Sequence, residues 1–321
     1  MADHTSFDHR SVMLDRVLEL FAPVPAGTVI DATLGGAGHA AALLEARADL
    51  RVLGLDQDPD ALVAAQARLA PFGDRATATH ARFDRLASVV AAAGAAIQPI
   101  VGVLYDLGVS SPQFDRPERG FSYRTDAPLD MRMDTTTGRT AAELINETDE
   151  REIAAILRRN ADERFASRIA RALVAARPVT TTGELAELVR NAIPAPARRT
   201  GGHPAKRTFQ ALRIEVNEEL SVIGPSLDAA IAAVIPGGRV LAITFHSGED
   251  RIVKARFRLA DDGGCTCPPG LPCACGATPE ARLLKRGGWV PSAEEIATNP
   301  RAASARLRAV EKLPVPAEDP R

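Results

Sequence analysis

The strongest indication of the fold is the glycine-rich segment Asp31-Ala32-Thr33-Leu34-Gly35-Gly36-Ala37-Gly38-His39, which has apolar segments at residues 28–30 and 52–55 on either side. Glycines let the backbone adopt positive φ and approach a ligand closely. The second apolar segment ends at Asp56, whose carboxylate can accept hydrogen bonds from both ribose hydroxyls of an adenosine. This strand, glycine-rich turn, helix and second strand predict a binding site for an adenosine-containing cofactor.

The glycine pattern alone leaves the cofactor open. Gly36-x-Gly38-x-x-Ala41 also fits the spacing of a dinucleotide-binding loop, so an NAD-dependent oxidoreductase is an alternative. A tight strand-to-helix turn without a ligand is the third interpretation, and the acid at Asp56 favours a ligand over it.

Composition predicts an ordinary globular protein in a reducing cytoplasm, without a membrane span. The chain has 321 residues, of which 45% are hydrophobic and 25% charged. Its first residues are polar and do not resemble a signal peptide. Each of the four cysteines lies between Cys265 and Cys275, unlike the spread of a disulfide framework.

Strands and helices alternate along the chain, with strands predicted at 28–31, 51–56, 76–80, 100–106, 239–245 and 305–311. Repeated strand–helix units predict a parallel, doubly wound, Rossmann-like α/β sheet. Between residues 114 and 207 only helical periodicity is seen. We therefore expect the core to comprise residues 1–113 and 208–321, with residues 114–207 as an inserted helical domain.

The segment Asp106-Leu107-Gly108-Val109-Ser110-Ser111-Pro112-Gln113 follows the fourth strand, where such sheets place their chemistry. Acceptors such as Asp106 and Ser111 suit an exocyclic amine on a nucleobase. Hydrogen bonds from its N–H groups would free the nitrogen lone pair for attack on a methyl group. The segment contains no cysteine nucleophile, which favours methylation at nitrogen or oxygen over pyrimidine C5.

One stretch is basic enough to bind phosphates. Residues 114–207 contain 17 Lys and Arg against 14 Asp and Glu, although the whole chain has a net charge of −2. Residues 194–214 contain no acid and carry the candidate RNA-binding residues Arg198, Arg199, Lys206, Arg207 and Arg213. A solvated helix start is an equally good interpretation from charge alone.

Two further motifs have ordinary structural interpretations. His246 follows the fifth strand beside acids, where a structural hydrogen-bonding role is favoured over catalysis. Cys265, Cys267, Cys273 and Cys275 could hold a structural zinc ion. However, the Cys-x-Cys spacing favours unligated thiols in a surface loop, so we expect no metal.

Several strings together resemble one family, the bacterial 16S rRNA (cytosine-N4)-methyltransferases of the MraW/RsmH type. Besides the segments at 31–39 and 106–113, they are Arg119-Gly120-Phe121-Ser122, Pro128-Leu129-Asp130-Met131-Arg132-Met133-Asp134, Arg164-Phe165-Ala166, Arg207-Thr208-Phe209-Gln210-Ala211, Phe245-His246-Ser247 and Asn299-Pro300-Arg301. The resemblance implies a class I methyltransferase fold with an inserted all-helical domain.

The resemblance also implies S-adenosylmethionine as the cofactor and a decoding-site cytosine of 16S rRNA, in the small ribosomal subunit, as the substrate. The implied cofactor residues are Ala37, Gly38, His39, Asp56, Phe83, Asp106 and Gln113. Asp56 would bind the ribose and Phe83 would lie by the adenine. Ala37 stands where many members have glycine, which is harmless if φ there is negative.

Alternatives to this enzyme stay open at the level of sequence. The chain could be a non-catalytic RNA-binding ribosome assembly factor or a DNA amino-methyltransferase, although no duplex-reading motif is recognisable. The oligomeric state is also open, with a homodimer as one option.

Overall fold

The computed structural model describes residues 11–199, 202–268 and 274–314, which form two compact units. The first, here called the core unit, contains the described residues up to Gly108 and from Val222 onward. The second, the helical unit, contains Val109–Ser221. These divisions differ from the predicted boundaries after Gln113 and Arg207.

The core unit is built on a seven-stranded sheet in the order β3-β2-β1-β4-β5-β7-β6. The strands are β1 (Gly27–Asp31), β2 (Leu50–Asp56), β3 (Ala76–His80), β4 (Ile100–Asp106), β5 (Arg239–Thr244), β6 (Ala281–Leu283) and β7 (Arg306–Lys312). The first five are mutually parallel, whereas β7 pairs antiparallel with β5 and with β6. This Rossmann-like sheet confirms the predicted class I methyltransferase fold.

Helices flank the sheet of the core unit. They are α1 (Leu14–Phe21), α2 (Gly38–Ala46), α3 (Pro59–Leu69), α4 (Leu86–Ala93), α11 (Ile223–Ala233), α12 (Ser247–Asp262) and α13 (Ala293–Thr298). The Asp58 carboxylate caps α3 by accepting the N–H of Asp60, with Pro59 in the first turn. Strand β4 is buried along nearly its whole length, as expected for a central parallel strand covered on both faces.

The helical unit contains a short helix α5 (Ser111–Asp115) and five longer helices. The longer helices are α6 (Ala141–Glu147), α7 (Glu150–Ala161), α8 (Ala166–Ala175), α9 (Thr182–Ala192) and α10 (Lys206–Val216). Capping boxes begin α6 at Thr140 and α9 at Thr181. Helix α10 packs Leu212 into the same core as Leu157 of α7, which is why the unit extends past Arg207.

Within the described ranges, none of the helices combines the length and the apolar character that a bilayer-crossing segment needs.

Candidate active site

Three neighbouring parallel strands, β2, β1 and β4, end in aspartate at one edge of the sheet: Asp56, Asp31 and Asp106. The loop from Ala32 to Ala37 crosses this edge. It is fixed to both neighbours, since the Ala32 N–H donates to the Leu104 carbonyl at 2.8 Å and the Leu34 N–H donates to the Leu55 carbonyl at 2.8 Å. The sheet therefore holds the glycine-rich loop rigidly against its acidic edge.

Ala37 adopts the left-handed conformation at the start of α2, with φ +59° and ψ +31°. The condition for a harmless alanine at this position, a negative φ, is therefore not met. A left-handed alanine costs roughly 1–2 kcal/mol relative to the right-handed form. The fully buried Ala37 side chain packs with Leu34 and Ala40, and this contact offsets part of the strain. Gly38, the other predicted loop residue, begins α2.

Asp56 is a preorganised acceptor. Its two carboxylate oxygens accept the N–H groups of Gly35 at 2.7 Å and Asp58 at 2.8 Å. Burial raises its pKa, and the backbone N–H groups of Asp58, Gly35 and Gln57 partly oppose that shift. Each carboxylate oxygen has a second lone pair. Asp56 can therefore accept further hydrogen bonds from a diol while holding the loop in place.

Asp106 lies in an environment that disfavours a negative charge. Burial, followed by the charges of Asp31 and Glu249, raises its pKa to about 8. Its backbone N–H donates to Thr33 Oγ1 at 2.6 Å. The side chain keeps 24% of its surface exposed, yet its Oδ1 is buried without a hydrogen-bond partner among the described residues. Such an oxygen is a natural acceptor for a ligand donor.

Asp31 also lies in an environment that disfavours a negative charge. It is 1% exposed, and burial together with the charge of Asp56 raises its pKa to about 7, although an N–H from Thr33 lowers it. His39 does not compensate these acids, because burial lowers its pKa to about 4. Its Nε2 donates to the Val12 carbonyl at 3.0 Å, which leaves Nδ1 without a proton, 3.8 Å from Asp106 Oδ2.

Phe83 is held in position by Ser226 and Tyr105. Its carbonyl accepts the Ser226 hydroxyl at 2.8 Å, and the same hydroxyl oxygen lies 2.8 Å from the Tyr105 hydroxyl. The Phe83 ring meets the buried Tyr105 ring edge-on, with centroids 5.8 Å apart. Phe83 as a whole is only partly buried.

His246 has the structural role that was favoured. Its Nδ1 accepts the N–H of Gly248, and Glu249 accepts the N–H groups of Phe245 and His246, which together form the capping box of α12. Its Nε2 lies 3.0 Å from Glu249 Oε1. The capping box therefore holds the buried Glu249, one of the acids that raise the pKa of Asp106, through the N–H groups of Phe245 and His246.

Ser111 and Gln113 belong to the helical unit. Ser111 begins α5, and its side chain lies outside the described residues. Gln113 is 5% exposed, and its Oε1 accepts the N–H of Ser110 at 2.9 Å, which closes its own turn.

The predicted RNA-binding residues fall into two groups. Lys206 and Arg207 are exposed at the start of α10, and Arg207 Nη1 also donates to the Asp162 carbonyl at 3.1 Å. Arg198 instead donates to the carbonyls of Ile193 and Asn191 at the end of α9. Arg213 is 13% exposed and donates two hydrogen bonds of 2.8 Å to Glu219, so its guanidinium is already paired. Arg199 closes a short 3₁₀ turn, and its side chain is outside the described residues.

Sequence reasoning missed several residues that the structure brings to these sites. Asp31 and Glu249 complete the acidic edge around Asp106. The position of Asp31 at a strand end was a usable signal, whereas Glu249 reaches the edge only through its capping box. In the helical unit, the Tyr123 ring stacks on His203 at 4.2 Å between centroids, with an interplanar angle of 8°; nothing in the sequence pairs residues so far apart.

Three of the four cysteines come together after α12. The Sγ atoms of Cys265, Cys267 and Cys275 all lie within 4.8 Å of one another. Cys273, the fourth member of the sequence motif, lies outside the described residues.

Comparison with known proteins gives one consistent result. The sequence profile described as the MraW methylase family matches residues 6–313. A protein named Ribosomal RNA small subunit methyltransferase H from Heliobacterium modesticaldum is 52% identical over 96% of this chain and 99% of its own length. One of the same name from Symbiobacterium thermophilum is 53% identical over 96% of this chain and 98% of its own.

Solved structures resemble the chain more distantly. An rRNA methylase from Streptococcus thermophilus aligns with 96% of this chain and 100% of its own at 12% identity and a TM-score of 0.41.

Proposed function

Because the chain belongs to the MraW methylase family, we propose that it transfers a methyl group from S-adenosylmethionine to N4 of a decoding-site cytosine in 16S rRNA. Relatives that are about 50% identical to it over nearly the full chain are named as methyltransferases of small-subunit ribosomal RNA. The chain is accordingly an S-adenosylmethionine-dependent rRNA methyltransferase, and the atom and nucleotide are the proposed part.

The observation that carries this function is the buried, unpartnered Oδ1 of Asp106 within a cluster of acids. A sulfonium cation fits such a cluster, since an opposite charge at close range favours the ionised carboxylates. Asp56 keeps acceptor capacity for two ribose hydroxyls, and the partly buried Phe83 would lie by the adenine. The residues present therefore fit S-adenosylmethionine.

The chemistry of methyl transfer assigns a role to Asp106. S-adenosylmethionine would supply a methyl carbon bound to a sulfonium, and the amine nitrogen would bond to that carbon as the C–S bond breaks and neutral S-adenosylhomocysteine leaves. Asp106 Oδ1 accepts a hydrogen bond from the cytosine amine, which localises that lone pair on nitrogen. A carboxylate with a raised pKa also accepts the proton that the nitrogen loses as the new N–C bond forms. Ser111 is the second candidate acceptor.

The acidic edge also separates this function from the oxidoreductase alternative. A nicotinamide dinucleotide would bring a doubly charged pyrophosphate to a loop beside Asp31, Asp56 and Asp106. Like charges at short range are unfavourable in a buried site. A cationic methyl donor is therefore the better ligand, and titration calorimetry with NADH and S-adenosylmethionine separates the two.

We assign RNA contact to the helical unit. The exposed cations Lys206 and Arg207 suit phosphates, and the stacked pair Tyr123 and His203 offers an aromatic surface of the kind that unpaired bases stack on. Because Arg213 is already paired with Glu219, we leave it out of the phosphate-binding set. We expect the enzyme to act in the cytoplasm on an assembled ribosomal particle, where RNA and protein shape supplement a modest charge. Equal methylation rates on naked 16S rRNA and on small subunits would contradict that substrate.

The decisive experiment is mass spectrometry of 16S rRNA nucleosides from a deletion strain. Reintroducing the wild-type chain restores N4-methylcytidine at one position, and Asp106→Asn does not. Asp84→Asn is the matched control, since Asp84 is an ion-paired aspartate of the same unit. An assembly factor without catalytic activity would retain its growth phenotype with Asp106→Asn and leave the nucleoside profile unchanged in every strain.

A further inference from the structure

The two ends of the loop between α12 and β6 are hydrogen-bonded together, whereas the described residues of the loop have little hydrophobic core. The Glu280 N–H donates to the Ala260 carbonyl at 2.9 Å, and the Leu283 N–H donates to Asp261 Oδ1 at 2.8 Å. Gly263 ends α12 with φ +62°, and a side chain there would collide with the backbone of Thr278. The chain therefore leaves and returns at the same end of α12.

Beyond these hydrogen-bonded ends the described loop residues are mostly exposed, among them Thr266 and Cys275. Burial of apolar surface therefore contributes little to holding the loop. Short segments without a core are commonly fixed by a disulfide or a metal ion. The cysteines that the loop carries make both of these devices available.

The sulfur geometry favours a metal. Two thiolates bound to one tetrahedral zinc ion at roughly 2.3 Å lie roughly 3.8 Å apart. The Sγ atoms of Cys265 and Cys275 are 3.7 Å apart, and Cys267 Sγ lies within 4.8 Å of both. A disulfide would need roughly 2.05 Å between two sulfurs and would leave Cys267 outside the bond.

The backbone supports thiolate character at this position. The Ala274 N–H donates to Cys267 Sγ at 3.3 Å. The Cys265 N–H donates to the Asp262 carbonyl at 3.1 Å, so Cys265 is held against the end of α12. Such outer contacts orient metal ligands. The three sulfurs thus come from both sides of the loop, and one ion would join its two ends.

From this geometry we propose that Cys265, Cys267 and Cys275 form a structural zinc site that fixes the loop between α12 and β6. Zinc is the ion expected for a cluster of thiolates without redox chemistry. On binding, each thiol releases its proton to solvent and its sulfur forms a Zn–S bond, with no oxidant or reductant involved. This replaces the expectation of unligated thiols drawn from the Cys-x-Cys spacing.

The site is structural, because it lies at the far end of α12 from the acidic edge. That helix has 16 residues and is therefore roughly 24 Å long. His246 and Glu249 are at its beginning, and the cysteines follow its end. The zinc would thus stabilise the loop that leads into the edge strand β6 and take no part in methyl transfer.

The test is the metal content of the full chain purified under reducing conditions with zinc present. Elemental analysis should give one zinc per wild-type chain, and Cys265→Ser and Cys275→Ser should lose it. The matched control is Thr266→Ser, which changes an exposed residue between two of the ligands and should retain the zinc. Replacing zinc with Co²⁺ should produce sulfur-to-metal charge-transfer absorption in wild type and not in the cysteine variants.

A second measurement covers variants that fold poorly. A strong chelator added to folded wild-type protein should lower its melting temperature and speed cleavage within the loop by a protease, and added Zn²⁺ should reverse both changes. Reduced wild-type chain that neither contains nor takes up zinc would overturn the proposal. So would a Cys265–Cys275 disulfide in freshly isolated protein, iron in place of zinc, or zinc retained by the cysteine variants.

Discussion

Replacing Gly54 by alanine should weaken S-adenosylmethionine binding, because Gly54 makes room for the cofactor loop. An added Cβ would lie 2.5 Å from both Cδ atoms of Leu34 and 2.9 Å from its Cγ. Favourable carbon contacts are roughly 3.5–4.0 Å, so Leu34 must move by roughly 1 Å. Leu34 is 3% exposed and precedes Gly35, whose N–H binds Asp56 at 2.7 Å. The displacement therefore reaches the ribose-binding acid.

The size of the expected effect can be given for both stability and cofactor affinity. Overpacking of a buried site lowers the free energy of unfolding by roughly 1–3 kcal/mol. Disturbing hydrogen bonds to an ionised group costs roughly 1.5–3 kcal/mol, which raises Kd by roughly 10–150-fold. Urea unfolding of the ligand-free protein measures the first quantity, and titration calorimetry with S-adenosylmethionine measures the second.

Gly102→Ala is the matched control. Gly102 lies in the neighbouring strand β4, and an added Cβ there would be 2.4 Å from Phe21 Cε1 on α1. It should destabilise the fold by a similar amount and leave cofactor affinity unchanged. If the two variants lose affinity equally, or if Gly54→Ala binds like wild type, the link from Gly54 through Leu34 to the cofactor is refuted.

Three further predictions concern the same sites. Tyr105→Phe removes a buried hydroxyl that contacts Ser226, so the free energy of unfolding should fall by roughly 0.5–1.5 kcal/mol. Cofactor affinity should also decrease, because Phe83 is then held less firmly, and Tyr123→Phe is the control. Arg213→Met breaks the ion pair of two largely buried groups and should lower the free energy of unfolding in urea by roughly 3–5 kcal/mol without changing the salt dependence of RNA binding. Lys206→Gln with Arg207→Gln should reduce that salt dependence in filter binding. It should lower stability by at most roughly 0.5–1.5 kcal/mol, because Arg207 donates one hydrogen bond to the Asp162 carbonyl. Burial raises the pKa of Asp31 to about 7 and that of Asp106 to about 8. A bound sulfonium should therefore expel protons from these groups, and the affinity for S-adenosylmethionine, measured by calorimetry, should rise with pH up to about 8. Neutral S-adenosylhomocysteine should show no such rise, and Asp106→Asn should reduce the rise seen with S-adenosylmethionine.

Local signals made the first half of the fold predictable from sequence. The run into Asp31, the glycines after it and the apolar run ending at Asp56 are encoded in adjacent residues, and the structure has β1, α2 and β2 there. The edge strand β6 was not predicted, because it has only three residues, too few for an alternation of apolar and polar residues to stand out. Helix α1 was not predicted either, although Val17, Leu20 and Phe21 form its buried face.

The site was less predictable, because its properties depend on which residues meet in space. The sequence predicts Asp56 as a ribose ligand. Its contact with the Gly35 N–H, however, follows only from the parallel register of β1 and β2. A count of charges places Arg213 among RNA-binding residues, whereas Glu219, beyond the end of the helix, already pairs with it. The cysteine spacing was likewise uninformative until the ends of the loop were seen together.

The acidic edge suggests how the enzyme distinguishes its methyl donor from the spent donor. Burial and the charge of Asp56 raise the pKa of Asp31, burial and the charges of Asp31 and Glu249 raise that of Asp106, and the neutral His39 does not offset these charges. A fold under selection for stability alone would replace such acids, so their cost points to a ligand that compensates it. A sulfonium does so through its positive charge. Loss of the methyl group leaves a neutral thioether and removes that attraction, so the same carboxylates that favour entry of the donor favour departure of the product.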